Sequence, residues 1–257
     1  MSERESSKAH TLPAASGGHV QSVARAFAVL EVLAQANASL PLAEVAARAG
    51  LAVPTAHRLL RTLLDLGVAR QRDNRDYGLG PTLIGLGERA TPPLAESARP
   101  ALVHLEDIAQ ETANLAVLDG DLVAYIAQVP SRHRMRMFTE VGRRVLPHAS
   151  GVGKAMLATL PERRVREILN RTGLPGYTPT TLVSVPALLA DLRDTRHRGF
   201  AIDDGEQEVG VRCIAVAVPG ATPPAALSIS GPSARMTDAI VKRAVEELTR
   251  AAGTLEG

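Results

Sequence analysis

The chain has 257 residues, 45% of them hydrophobic and 22% charged, with 29 Lys and Arg against 27 Asp and Glu. That length suits one large or two small domains, and so apolar and nearly neutral a composition excludes global disorder. A single cysteine, Cys213, excludes an internal disulfide framework and a cysteine-cluster zinc site.

Residues 1–18 are polar and rich in small side chains, without the apolar centre of a secretory signal, and are expected to form a disordered tail. The run VARAFAVLEVLAQA carries Val23, Phe27, Leu30 and Leu33/Ala34 at helical spacing, with Ser22 placed to cap it. LPLAEVAARAGLAVPTAHRLLRTLLDLG reads as two helices. Gly50 suits the left-handed position that ends the first, and Pro54 suits the first turn of the second, where its missing N–H has no intrahelical partner to lose. On that second helix Leu59, Leu60, Leu63 and Leu66 make an apolar stripe and Ala56 sits inward, while Thr55, Arg58, Arg61 and Thr62 lie on another face. Gly67 stops the helix, and VARQR and YGLG flank DNRD as a hairpin.

Charge is concentrated here. Residues 48–75 hold six arginines against Asp65 and Asp73, a net of +4, whereas residues 91–257 hold 19 basic and 19 acidic side chains. A charge run can merely solvate a surface. Its coincidence with three helices and a hairpin predicts a winged helix-turn-helix over 19–81 that binds DNA. The second helix, with Pro54, Thr55, His57, Arg58 and Arg61, faces the major groove or its phosphates, and Arg70, Arg72 and Arg75 serve the wing.

PTLIGLGERA starts a linker helix expected over 82–97, with Pro92-Pro93 marking a boundary, and an α+β effector domain follows over 98–257. LAESARPALVHLEDIAQET is a helix with Leu102, Leu105 and Ile108 on one side. NLAVLDGDLVAYIAQV is two strands turning at Asp119-Gly120, and MRMFTEV is a third strand candidate. GVGKAMLATL, ERRVREIL and VPALLADLRDTRHRG are helices, FAIDD, CIAVAVP and AALSISG are strands, and MTDAIVKRAVEELTRAAG is a final amphipathic helix. Such an order predicts a mostly antiparallel sheet with helices packed on it. No run of about 18 apolar residues could span a membrane, so a cytoplasmic protein is expected.

Ser150-Gly-Val-Gly-Lys154 is not a Walker loop, since His148 stands where the first glycine is needed and Ala155 where a hydroxyl must hold magnesium. What remains is a glycine turn opening a helix, either an anion site or a plain structural turn. Asp203, Asp204, Glu206 and Glu208 lie in a polar loop and read as solvated surface with no histidine spaced to complete a metal site. Cys213, in an apolar strand, reads as a small buried hydrophobe. Ser228 and Ser230 share one strand face, as pocket lining or solvent face. No catalytic set, metal site or cofactor is expected.

The segments VQSVARAFAVLEVLA, LPLAEVAARAGLAVPTAHRLLRTLLDLGVARQRDNRDYGLG, LPHASGVGKAMLATL, RGFAIDDGEQEVGVRCIAVAV and ALSISGPSARM resemble the isocitrate lyase regulator (IclR) family of bacterial transcription factors, in the family's order and from about Val20 to the last helix. The resemblance implies a winged helix-turn-helix and a GAF-like effector domain, acting as a homodimer or dimer of dimers on palindromic operator DNA. It also implies a site for a small organic acid of the glyoxylate or pyruvate kind. That site's glycine turn, aspartate, cysteine and serines map to Ser150, Gly151, Val152, Asp203, Cys213, Ser228 and Ser230. Family members sense varied ligands, aromatic acids among them. The rival expectations are an enzyme acting on a small carboxylate through Cys213 or the acidic loop, and a ligand-independent structural DNA binder.

Overall fold

A computed structural model describes residues 20–36, 38–136 and 140–255. The chain divides into two compact units, one ending at Ala90 and one beginning at Thr91. The disordered tail expected over 1–18 lies outside the described residues.

The first unit runs α1 (Gln21–Gln35), α2 (Leu42–Arg48), α3 (Val53–Asp65), β1 (Ala69–Gln71), β2 (Tyr77–Leu79) and α4 (Thr82–Ala90). β1 and β2 form the antiparallel wing, and Leu40 adds a bridge to Tyr77. Val29, Leu33, Leu40, Val45, Leu60, Leu63, Ala69 and Tyr77 make its buried core. Gly50 and Pro54 act as expected: Gly50 takes a φ of 63° after α2, and Pro54 lies in the first turn of α3. Three details differ from the sequence reading. α1 begins at Gln21 behind Val20, so Ser22 is inside the helix and caps nothing. The buried stripe of α1 is Val29 and Leu33 with Ala26 and Leu30 beside them, while Val23 and Phe27 are exposed. Leu66 is also exposed, at 62%, because α3 ends at Asp65 and the chain turns away at Gly67.

The second unit opens with α5 (Pro93–Ser97) and α6 (Arg99–Ala109). The single linker helix expected over 82–97 is therefore two, α4 and α5, parted at Thr91 and Pro92. The proline has no N–H to continue the ladder and biases the residue before it away from helical backbone. Nor is 94–112 one helix. α5 stops at Ser97, and α6 ends at Gln110, whose left-handed φ of 57° turns the chain into the sheet at Thr112.

Six strands follow: β3 (Thr112–Asp119), β4 (Leu122–Val129), β5 (Arg144–Val145), β6 (Ala201–Asp204), β7 (Val211–Val218) and β8 (Ala225–Pro232). They form an antiparallel sheet in the order β5-β4-β3-β8-β7-β6. The short β5 was not anticipated, and the strand expected over 135–141 falls across 137–139, outside the described residues. Between the strands come α7 (Gly151–Thr159), α8 (Glu162–Thr172) and α9 (Val185–Arg198), and α10 (Asp238–Gly253) follows β8.

Each face of the sheet carries a core. α6 and α10 bring Leu102, Leu105 and Leu248 against Leu115, Ile214, Leu227 and Ile229. On the other face α7, α8 and α9 bring Val152, Met156, Ile168, Leu188 and Leu192 against Val123, Tyr125, Ala215 and Ala226. Central strands covered on both faces read as near-continuous apolar runs rather than alternating ones. Polar residues inside those strands are therefore conspicuous, and they gather on the α7 face.

Candidate functional site

The rotation of α3 follows from its core contacts. With Ala56, Leu60 and Leu63 buried, His57, Arg58, Arg61 and Thr62 are exposed and Thr55 is half-buried. The wing is shaped by its own backbone. The Arg72 N–H donates to the Asp76 carbonyl, the Arg75 N–H donates to the Arg72 carbonyl, and Arg75 adopts a φ of 66°. Gln71 Nε2 braces the turn through the Arg75 carbonyl at 3.0 Å. Arg70, Arg72 and Arg75 are all exposed. Among the described residues none of Arg58, Arg61, Arg70, Arg72 and Arg75 pairs with a carboxylate, so this unit's positive charge is uncompensated where it is displayed.

In the second unit the sheet register gathers the remaining candidates. Cys213 on β7 lies between Asp203 on β6 and Ser230 on β8, and Ser228 pairs with Ala215 one step along. Thr112 and Asn114 on β3 stand opposite Ser230 and Ser228. Ser230 and Ser228 thus stand on the strand beside Cys213, on the same face of the sheet. Burial first, and then the Asp203 charge, push the thiol up to about 12, so it is not a nucleophile at neutral pH.

α7 points its N-terminus at this group. A Cβ built on Gly151 would lie 2.8 Å from Cys213 Sγ, and one on Gly153 would lie 2.3 Å from the Pro147 carbonyl. At 153 backbone passes where a side chain would be, and at 151 the Cys213 side chain does. Ser150 caps the helix, its Oγ accepting from the Gly153 N–H at 3.2 Å. The N–H groups of Gly151 and Val152 meet no acceptor among the described residues, leaving two donors and the positive end of the helix dipole beside the cysteine and serines. Val152 itself is buried in the core.

Asp204 and Glu208 of the acidic loop are exposed as expected, but Asp203 and Glu206 are not solvated surface. Asp203 is 2% exposed, and its Oδ1 accepts the N–H groups of Glu206 (2.7 Å) and Gln207 (3.3 Å). Burial, aided by the Glu206 charge, raises the Asp203 carboxyl to about 7. Glu206 is buried too and accepts from Lys154 Nζ at 2.5 Å, with Asp191 of α9 at 3.1 Å from the same nitrogen. Thr178 and Thr181 hydroxyls tie down the Gly205 and Glu206 carbonyls. Lys154, 1% exposed, thus joins α7, α9 and the β6–β7 loop. The sequence reading missed this role. A lysine inside the apolar helix GVGKAMLATL needs a buried carboxylate, and that requirement was the available signal. It also missed Asn114, a lone amide in an apolar strand.

The structure therefore brings Ser150, Gly151, Val152, Asp203, Cys213, Ser228 and Ser230 together from four elements. No group of three or more His, Cys, Asp or Glu side chains able to hold a metal ion occurs among the described residues. None of the described helices is long and apolar enough to cross a membrane.

Comparison with known proteins settles the class. The IclR helix-turn-helix domain matches residues 22–73, and the bacterial transcriptional regulator IclR C-terminal domain matches residues 90–256. The chain belongs to the IclR family. It is 41% identical over 250 residues to the transcriptional repressor IclR of Escherichia coli, spanning 92% of this chain and 91% of that one. The structure of the Thermotoga maritima IclR superposes with a TM-score of 0.78 at 26% identity, covering 93% of this chain and 98% of that one. An IclR homologue from Microbacterium hydrocarbonoxydans complexed with 4-hydroxybenzoate has a TM-score of 0.74 at 27% identity, over 91% of this chain and 97% of the other. Like its IclR relatives, this chain is a DNA-binding transcriptional regulator and not an enzyme, which removes the carboxylate-enzyme reading.

Proposed function

We propose that this IclR-family regulator is a repressor released from, or held on, its operator by a small organic acid. Pro54, Thr55, His57, Arg58 and Arg61 present α3 to the major groove, and Arg70, Arg72 and Arg75 place the wing on phosphates. The acid binds at the start of α7, its carboxylate taking the N–H groups of Gly151 and Val152 and the hydroxyls of Ser228 and Ser230. Ser150 shapes the turn, Val152 and Cys213 form walls, and Asp203 meets a hydroxyl or amide of the ligand. The regulator acts in the cytoplasm as a homodimer, or a dimer of dimers, on a palindromic operator.

One observation carries this reading. α7 comes so close to the consecutive strands β6, β7 and β8 that a Cβ at 151 would meet Cys213 Sγ at 2.8 Å, and the side chains gathered there offer donors or a weakly acidic thiol, except Asp203. Such a site suits an anion. An aromatic acid is the second reading, favoured by the 4-hydroxybenzoate held by a relative of the same fold. Gel-shift assays on the chain's own upstream DNA, with and without glyoxylate, pyruvate and 4-hydroxybenzoate, test both. DNA binding insensitive to every acid would favour a ligand-independent binder and overturn the effector reading.

A further inference from the structure

Asn114 is a fully buried amide on β3 that the anion site described above does not use. Its Nδ2 donates to Ser228 Oγ at 3.3 Å, and its Oδ1 accepts from Gln128 Nε2 at 3.0 Å. Gln128 faces it from β4 and is half-buried. Three side chains on three adjacent strands thus form a hydrogen-bond chain with a direction, from Gln128 through Asn114 to Ser228.

Direction matters because a hydroxyl has one proton and two lone pairs. Asn114 occupies a lone pair of Ser228, so the serine proton is left for a partner other than Asn114. With no solvent around Asn114, its amide cannot turn over alone without leaving buried donors and acceptors unpaired. We propose that Asn114, held by Gln128, is a positioning residue that sets effector specificity: it fixes Ser228 as a donor, so the site accepts a carboxylate or carbonyl oxygen there and disfavours a group that presents a proton. This rests on the acid-effector reading.

The test is calorimetric titration of the full chain with glyoxylate, pyruvate and 4-hydroxybenzoate, and with the primary amide of the tightest-binding acid. In Gln128→Glu an ionised side chain on β4 only accepts, which turns Asn114 so that its Oδ1 faces Ser228 and draws the serine proton towards β3. Asn114→Asp imposes the same reversal directly. In both variants affinity for the acid should fall about tenfold or more, as for loss of a charge-assisted hydrogen bond, while affinity for the amide rises. Melting temperature without ligand verifies that the sheet is intact, and Gln128, being half-buried, keeps the test available if Asn114→Asp does not fold. Loss of acid binding with no gain for the amide would be a charge effect alone and would overturn the inference, as would unchanged acid affinity in both variants. Absence of saturable binding to the unmodified chain would overturn the acid-effector reading and this inference with it.

Discussion

Arg58 and Arg72 carry the same charge on different elements, and their loss should read out differently. Arg58 projects from the exposed side of α3 that we propose meets the groove, so Arg58→Ala is expected to weaken operator binding by about 1–3 kcal/mol and relax base preference at one position. Arg72 belongs to the wing, so Arg72→Ala should weaken all DNA sequences alike and flatten the log–log salt dependence by about one unit. Fluorescence anisotropy at several salt concentrations separates the two. Asp203 gives a prediction in pH. Its carboxyl ordinarily titrates at 3.8 but is raised to about 7 in the fold, first by burial. The folded state therefore holds a proton that the unfolded chain has released, and the stability this brings, full below about 4, is lost as pH rises through 7. Asp203→Asn keeps an oxygen for the Glu206 and Gln207 N–H groups, so its melting temperature should vary less between pH 5 and 8. An equal slope in both proteins would mean Asp203 is ionised throughout. Ser228 and Ser230 were legible as a pair from their alternate spacing on one strand. Glu206 was not, because the buried lysine that recruits it lies 52 residues away, and local polarity cannot distinguish a solvated acid from a paired one.

At the level of elements, α7 is held at both ends of its first turn. Gly151→Ala should force Cβ against Cys213 Sγ, at 2.8 Å, and cost about 1–3 kcal/mol as overpacking does. Cys213→Ala in the same chain should recover much of that loss, and chemical denaturation of the four proteins of this cycle measures the coupling. Lys154→Met should cost about 3–5 kcal/mol by leaving Glu206 and Asp191 facing each other without their cation. Adding Glu206→Gln should return part of it. If Lys154→Met alone is neutral, the ion pairs contribute nothing net. Element types and order were readable because glycine and proline punctuate the chain at Gly50, Pro54, Gly67, Gly120 and Gly199. Which face of α1 turns inward was not, since Val23/Phe27 and Val29/Leu33 are both apolar at helical spacing and only packing against α2, α3 and the wing selects the second. The end of α6 was equally hidden, because Gln110 carries none of the usual preference for a left-handed backbone.

For the molecule as a whole, one winged unit reads one half-site, so operator affinity should require at least a dimer, with half-sites about 34–36 Å apart or a multiple of that. Light scattering alongside operator titration checks this, and a monomer that binds its operator tightly would refute it. The sheet order carries another consequence. β3 closes at once on β4 through a two-residue turn, but its other neighbour is β8, and Asn114 meets Ser228 across 114 residues. Chains fold from the N-terminus as they leave the ribosome. The winged unit has its own core and every residue of it within the first 90. A nascent chain can therefore complete its winged unit long before β8, which carries both Ser228 and Ser230, is translated, and on the acid-effector proposal responsiveness to a metabolite is the last property this protein acquires in its own synthesis.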